Sequence, residues 1–274
     1  MNLLRPVNGR RPLFFFALLL AVFLDTLGLG IITPLLPVYA EQLIGETASL
    51  GVLIGVLFAV HSIVRLFAMP YFGHLSDKLG RRKLFILIGL VIFIVSSFGY
   101  AFSTKYVHLL LSRLLQGFGS TMFYPIVLSY VGEMSPDGEE GYHMGPVNTA
   151  GFIGMGIGPL LGGLLTDLME FKYVFFGMSA LCMASFALIF LFVPESDRTV
   201  ARRRRSDASL WRVFRSRVLG GVMLYRFLNA FLRGGQMSFL PLLAVSMFDM
   251  SYKEIGVVIA CNTFLVGVLQ TPFG

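Results

Sequence analysis

Asp25 and Arg113 are the two charged side chains whose surroundings ask for a chemical explanation. Asp25 sits in the apolar run from Leu13 to Val38, and Arg113 in the run from Val107 to Val131. A charge in such a run is costly and must face protein or a water-filled path, which makes it a functional candidate. Asp25 is the one acid deep in any of these runs. Burial and a nearby guanidinium act on the proton of such a carboxyl in opposite senses, the competition that proton coupling needs. At ~1.5 Å per helical residue, Asp25 lies about 18 Å in from Leu13. Arg113 lies about 9 Å from the opposite face of a ~30 Å apolar layer. Their depths therefore nearly coincide. The two are expected to meet, with a purely structural ion pair as one outcome.

A second polar set, Arg226, Asn229, Arg233 and Gln236, falls on one helical face of a later apolar run interrupted by Gly234-Gly235. Asn229, Arg233 and Gln236 are candidates for a substrate cavity. With Arg65 and Arg113 this makes four arginines against one aspartate inside apolar runs, a balance that favours an anionic or zwitterionic solute. Arg65 and Arg226 have a competing role, extending their heads to the interface. His61, His74, His108 and His143 show no metal-ligand spacing, and His61 reads first as a packing histidine. Cys182 and Cys261 lie in apolar segments without a CxxC partner and read as small buried hydrophobes. No nucleophile triad, phosphate loop or paired-carboxylate site is visible. The expectation is a protein that is not an enzyme, with no metal and no cofactor.

The elements that must position these groups are spanning helices. Hydrophobic residues make up 56% of the chain and charged residues 14%, with a mean hydropathy of +0.78. A soluble domain carries about 25% charge, so the medium around this chain is lipid. Eight segments reach the ~20 residues a spanning helix needs: 13–38, 50–73, 84–103, 107–131, 145–166, 173–193, 218–245 and 254–274. Strands are excluded, because an open sheet leaves backbone groups unpaired in hydrocarbon. The Arg-flanked N-terminal run is too long for a cleaved signal and reads as the first span.

Basic residues orient the array. Arg5, Arg10 and Arg11; Lys78, Arg81, Arg82 and Lys83; and eight arginines between Arg198 and Arg217 occupy alternate connections, against Lys105, Lys172 and Lys253 on the opposite side. Lys and Arg mark the cytoplasmic side, which places the N-terminus in the cytoplasm. The 132–144 connection holds Glu133, Asp137, Glu139 and Glu140 and no basic residue, but acids weigh little in this rule. The net charge of +7 is thereby assigned to the membrane surface, with no nucleic-acid partner.

Three motifs remain. The stretch from Gly73 to Lys83 holds Gly73, Asp77, Gly80, Arg81 and Arg82 in a tight charged turn. Asp77 is expected to cap a helix N-terminus and to pair with Arg81. Arg113-Leu-Leu-Gln116-Gly117-Phe-Gly119 lies in the fourth span. Gly151, Gly154, Gly158 and Gly162 share one face of the fifth, where small residues allow close helix packing, and Pro159 bends that helix. These motifs resemble those of the major facilitator superfamily. The turn resembles its loop between helices two and three, and Arg113 to Gly119 its fourth-helix Arg-x-x-Gln-Gly-x-Gly. Gly154, Gly158, Pro159, Gly162 and Gly163 resemble its antiporter signature, and the segment from Phe23 to Pro37 the opening helix of drug:proton antiporters with twelve spans. An arginine often found in the 132–144 connection of relatives is absent here.

The resemblance implies an all-α membrane protein of the major facilitator fold. Weak internal repeats fit it: Phe23-Leu24-Asp25 against Phe227-Leu228-Asn229, and Leu36-Pro37 against Leu240-Pro241. The expected layout is a six-helix bundle over 1–193, a basic cytoplasmic linker over 194–217, and over 218–274 the first two helices of a C-terminal bundle whose remaining helices lie beyond this sequence. The implied function is proton-coupled efflux of drugs or small organic solutes by alternating access. The alternative is a facilitator or importer of an organic anion or metabolite. Asp25 would carry or sense the proton and Arg113 tune it, Asp77 and Arg81 would gate, and the glycine face would form part of the moving contact. The implied partners are a small-molecule substrate, protons and the lipid bilayer. The complete protein would be a monomer, multi-pass in a bacterial inner (plasma) membrane.

Overall fold

The computed structural model describes residues 12–45, 49–136, 138–195 and 217–270. Among them the secondary structure is helical, without strands. The helices are α1 (Pro12–Ile44), α2 (Leu50–Leu79), α3 (Arg82–Ala101), α4 (Tyr106–Met122), α5 (Tyr124–Met134), α6 (Glu140–Leu168), α7 (Phe171–Phe192), α8 (Arg217–Phe248) and α9 (Tyr252–Gln270). Five of them, α1, α2, α3, α6 and α7, are long and apolar enough to cross a membrane.

The expected fourth span is bent rather than straight. It breaks between α4 and α5 at Phe123, where φ is −97° and ψ −85°. Pro125 is the cause: it has no N–H to give to the preceding turn, and its ring crowds the carbonyl four residues back. Phe123 N still donates to Gly119 O at 3.2 Å and Val127 N to Phe123 O at 2.9 Å. The two pieces therefore act as one kinked rod.

α1 packs on α6 and α7, α3 on α4 and α7, and α2 on α4. This six-rod bundle has a core at each end. One gathers Phe14, Leu18, Ile86, Tyr130 and Ile189 near the N-terminal end of α1. The other gathers Ile32, Tyr39, Ile54, Tyr100 and Phe175 at the far end. The outer surface is apolar. Phe67 and Leu66 on α2 are 74% and 68% exposed, and Phe190 and Leu191 on α7 are 57% and 68%. Apolar faces on this scale suit lipid and not water.

α9 packs along α6, and α8 meets the bundle toward the far end. Leu242 and Val245 of α8 pack on the far-end core, and Ala244, Ile255 and Ile259 bury together. Toward the chain's N-terminal side α8 is open: Gly220–Tyr225 and Phe227–Leu232 are exposed.

Candidate functional site

Asp25 lies midway along α1, between the two cores, and is 2% exposed. Its Oδ1 has no hydrogen-bond partner. The next residue, Thr26, turns its hydroxyl back to Val22 O at 2.7 Å, and Ser185 of α7 donates to Ala21 O at 3.1 Å. Cys182 of α7 lies within electrostatic reach of the Asp25 carboxyl. Asp25 is thus on the α7 side of α1.

Arg113 is buried on α4 and faces elsewhere. Its Nη1 donates to Gln116 Oε1 at 2.7 Å, and its guanidinium lies over the Phe58 ring at 4.8 Å from the centroid. Tyr100 Oη donates to the same Gln116 oxygen at 2.8 Å. Two donors on one oxygen fix the amide's orientation and leave Gln116 Nε2 without a partner, as is Arg113 Nε. Among the described residues Asp25 and Arg113 form no ion pair. Equal depth did not imply equal azimuth: Gln116, one turn along, and Phe58, on the neighbouring helix, hold the arginine toward α2. His61 Nδ1 and Arg65 Nε of α2 are likewise unpaired, and the Arg65 and Arg113 charges act on each other.

The charged turn is mostly helix. α2 continues through Gly73 to Leu79, and Gly80 ends it at φ 60°, ψ 32°, with its N–H on Ser76 O at 2.9 Å. That left-handed cap is cheap only for glycine. Asp77 therefore lies at a helix C-terminus and caps no N-terminus. Its partner is Arg82, not Arg81, and Arg81 is exposed. Arg82 is 5% exposed. It donates from Nη1 to Ser76 Oγ at 2.5 Å and from Nε to Glu133 Oε1 at 3.2 Å, and its Nη2 pairs with Glu133 Oε1 at 2.5 Å. Sequence reasoning missed Glu133, taking it for an acid in a loop. It lies in the last turn of α5, and no local signal in the sequence marks it as the partner of Arg82, 51 positions away.

The glycine stripe of α6 packs on α1, while Pro159 of the same motif meets α9. A methyl group at Gly158 would stand 2.5 Å from the Cα of Gly30, and one at Gly162 2.8 Å from Ile31 O. Gly151, Gly154 and Gly163 are buried too. The contact with α9 falls on a different side of α6: Gly256 lies against the backbone of Pro159 and Leu160. At the far end Asp167 Oδ2 of α6 accepts from Lys253 N in the first turn of α9 at 3.1 Å. Asn229 is exposed on the open part of α8. The side chains of Arg233 and Gln236 lie outside the described residues, as do most of the linker arginines.

A helical bundle with buried, unpaired polar groups between lipid-facing rods, joined to a second helix pair, is the build of a membrane transporter. The Major Facilitator Superfamily profile matches residues 18–274, and the chain belongs to that family. It is 27% identical over 264 residues to the uncharacterized MFS-type transporter MJ1560 of Methanocaldococcus jannaschii, covering 94% of this chain and 67% of the relative. It is 31% identical over 222 residues to the quinolone resistance protein NorA of Staphylococcus aureus, covering 79% of this chain and 56% of the relative. The chain thus spans little more than half of NorA. Two solved structures share the fold. A bacterial homolog of the human lysosomal transporter Spinster, inward-facing and unoccupied, matches with TM-score 0.78 at 17% identity, over 97% of this chain and 64% of that one. The human organic anion transporter MFSD10 matches with TM-score 0.66 at 20% identity, over 95% and 72%.

Proposed function

We propose that the protein exports small organic solutes across a bacterial plasma membrane in exchange for protons, by alternating access. The observation that carries this is Asp25: a carboxyl buried at mid-membrane depth, with an oxygen that lacks a partner. A group so placed must bind and release a proton as the path to it opens and closes. Arg113, held away from Asp25 here, acts on it when the helices shift. Residues 1–193 form one moving body and 218–274 the start of the other, with 194–217 as the cytoplasmic link and the N-terminus in the cytoplasm. Asn229, Arg233 and Gln236 are the residues assigned to substrate, which repeat-built transporters hold between their halves. The half-exposed Asp77, with Gly73, Gly80, Arg81 and Arg82, forms the cytoplasmic gate. The complete protein works as a monomer, and the NorA likeness supports drugs as cargo.

The test is quinolone flux by the full-length protein in proteoliposomes under an imposed pH gradient. Gradient-driven flux that Asp25→Asn abolishes is expected. Flux indifferent both to the gradient and to Asp25→Asn removes the coupling. The second reading, a facilitator or importer of organic anions, is favoured by the unpaired cationic groups of α2 and α4 and by the MFSD10 likeness. Uptake of an organic anion without a pH gradient, with no quinolone efflux, would establish it.

A further inference from the structure

His61, Arg65, Arg113 and Gln116 form a cluster that the export cycle above leaves without a complete role. Each carries a polar nitrogen that is shielded from solvent and unpartnered: His61 Nδ1, Arg65 Nε, Arg113 Nε and Gln116 Nε2. Arg113 and Gln116 are 5% and 0% exposed. A buried donor without an acceptor costs about 1–3 kcal/mol, more when charged, so the three nitrogens that can only donate, Arg65 Nε, Arg113 Nε and Gln116 Nε2, call for something that accepts. Among the described residues no carboxylate pairs with them; the polar neighbours are the Arg113 backbone beside His61 and the Tyr100 hydroxyl beside the Arg113 side chain. From Leu50 to Met122 the one acid is Asp77, twelve residues beyond Arg65 and thus about 18 Å along α2. That acid is already committed to Arg82. α3 and α4 contain no acid, nor does α8. Asp25 on α1 is turned toward α7.

The donors share one crevice. Gly117 lets α4 approach α2 so closely that a methyl group there would stand 3.1 Å from His61 O and 3.0 Å from Val64 Cβ. The Arg113 guanidinium lies over the Phe58 ring, and Gln116 occupies its Nη1. Its Nε has no partner. A guanidinium edge offers two parallel N–H groups, the match for a planar carboxylate. His61 and Arg65 are only half-buried, which leaves a way in.

We propose that this crevice is an anion subsite between α2 and α4, in which Arg113 and Arg65 clamp the carboxylate of a transported organic acid or zwitterion and the side chains of Phe58 and Val64 receive its apolar body. The inference rests on the transporter reading and deepens it by naming the substrate class; it does not rest on proton coupling.

The test is equilibrium binding of radiolabelled benzoate to the full-length protein in nanodiscs of neutral lipid, with no pH gradient. Saturable binding is expected, with benzamide, the uncharged analogue, failing to compete. Arg65→Gln and Arg113→Lys should each weaken it by about ten-fold or more; the second keeps the charge and removes the fork. Should Arg113→Lys fail to fold, Arg65→Gln, at a half-buried site, decides alone. Benzoate binding that neither substitution changes overturns the proposal. Equal competition by benzamide, or equal displacement by chloride or inorganic phosphate, does so too. Loss of binding in nanodiscs of anionic phospholipid assigns the crevice to a headgroup and also overturns it. Gradient-driven quinolone efflux without benzoate binding would leave export standing and discard the subsite, and the converse would discard export alone.

Discussion

Gly256 of α9 sits directly against the carbonyl of Pro159 of α6, with no room for a side chain between them. Nothing bulkier than hydrogen fits, so the two helices meet backbone to backbone. The neighbouring faces of α6 divide the work. Gly158 and Gly162 hold α1 within the first bundle, and Pro159 meets the second.

Gly256→Val should therefore prevent closure of the far end. A cysteine at Leu242, packed in that interface, should label faster with a membrane-impermeant thiol reagent added from the far side, and transport should fall by about ten-fold or more. The interface can escape only by shifting backbone, which costs about 1–3 kcal/mol for even modest overpacking. Wild-type labelling and transport in this variant would show that the contact is not part of the cycle.

Arg82 distinguishes a structural from a gating charge. Its partner Glu133 is 11% exposed and Asp77 50%. Removing a buried partner leaves an uncompensated charge and costs about 3–5 kcal/mol. A half-exposed partner is screened and costs about 0–1 kcal/mol. Glu133→Gln should lower the melting temperature in detergent markedly, whereas Asp77→Asn should leave it near wild type and impair transport. Equal melting losses would mean that both acids are structural.

The fold was legible because its signals are local. Twenty apolar residues in a row need lipid, and alternate basic connections order the spans. Asp25 and Arg113 were legible as anomalies for the same reason. What was not legible is azimuth. Depth along a helix follows from counting residues, but the side of α1 that Asp25 faces depends on the packing of α6 and α7. The same limit hid the Arg82–Glu133 pair, which joins α3 to α5 across 51 positions. It also exchanged Arg81 for Arg82, since Gly80 turns the chain and points the second arginine inward. The glycine stripe was visible, but a stripe does not name the helix it faces.

Two glycines test that packing with opposite signs. A methyl group at Gly158 would press on the Gly30 backbone, while at Gly55 of α2 nothing lies within 4 Å. Gly158→Ala should destabilise by about 1–3 kcal/mol, lowering the melting temperature by several degrees. Gly55→Ala should raise stability by about 0.5–1 kcal/mol, since alanine costs less entropy within a helix. Equal shifts for the two would mean that α1 and α6 are less closely packed than the Gly30–Gly158 contact requires.

The far end carries a latch that salt should loosen. Ser251 and Glu254 already cap α9 reciprocally, Ser251 N giving to Glu254 Oε2 at 2.8 Å and Glu254 N to Ser251 Oγ at 3.3 Å. Asp167 adds a carboxylate from α6 to the same helix N-terminus through Lys253 N, where the helix dipole favours negative charge. Because this bond joins the two bodies, it favours the conformation closed at the far end. Its loss in Asp167→Ala should raise the far-side-open fraction by about two- to five-fold at low ionic strength. In molar salt, where the Debye length falls to about 3 Å, the wild type should approach the variant, because screening removes most of the attraction between the Asp167 charge and the helix end. Labelling of the Leu242 cysteine reads the fraction directly. A variant that labels like wild type at low salt would mean that Asp167 merely caps α9 and does not bias which side is open.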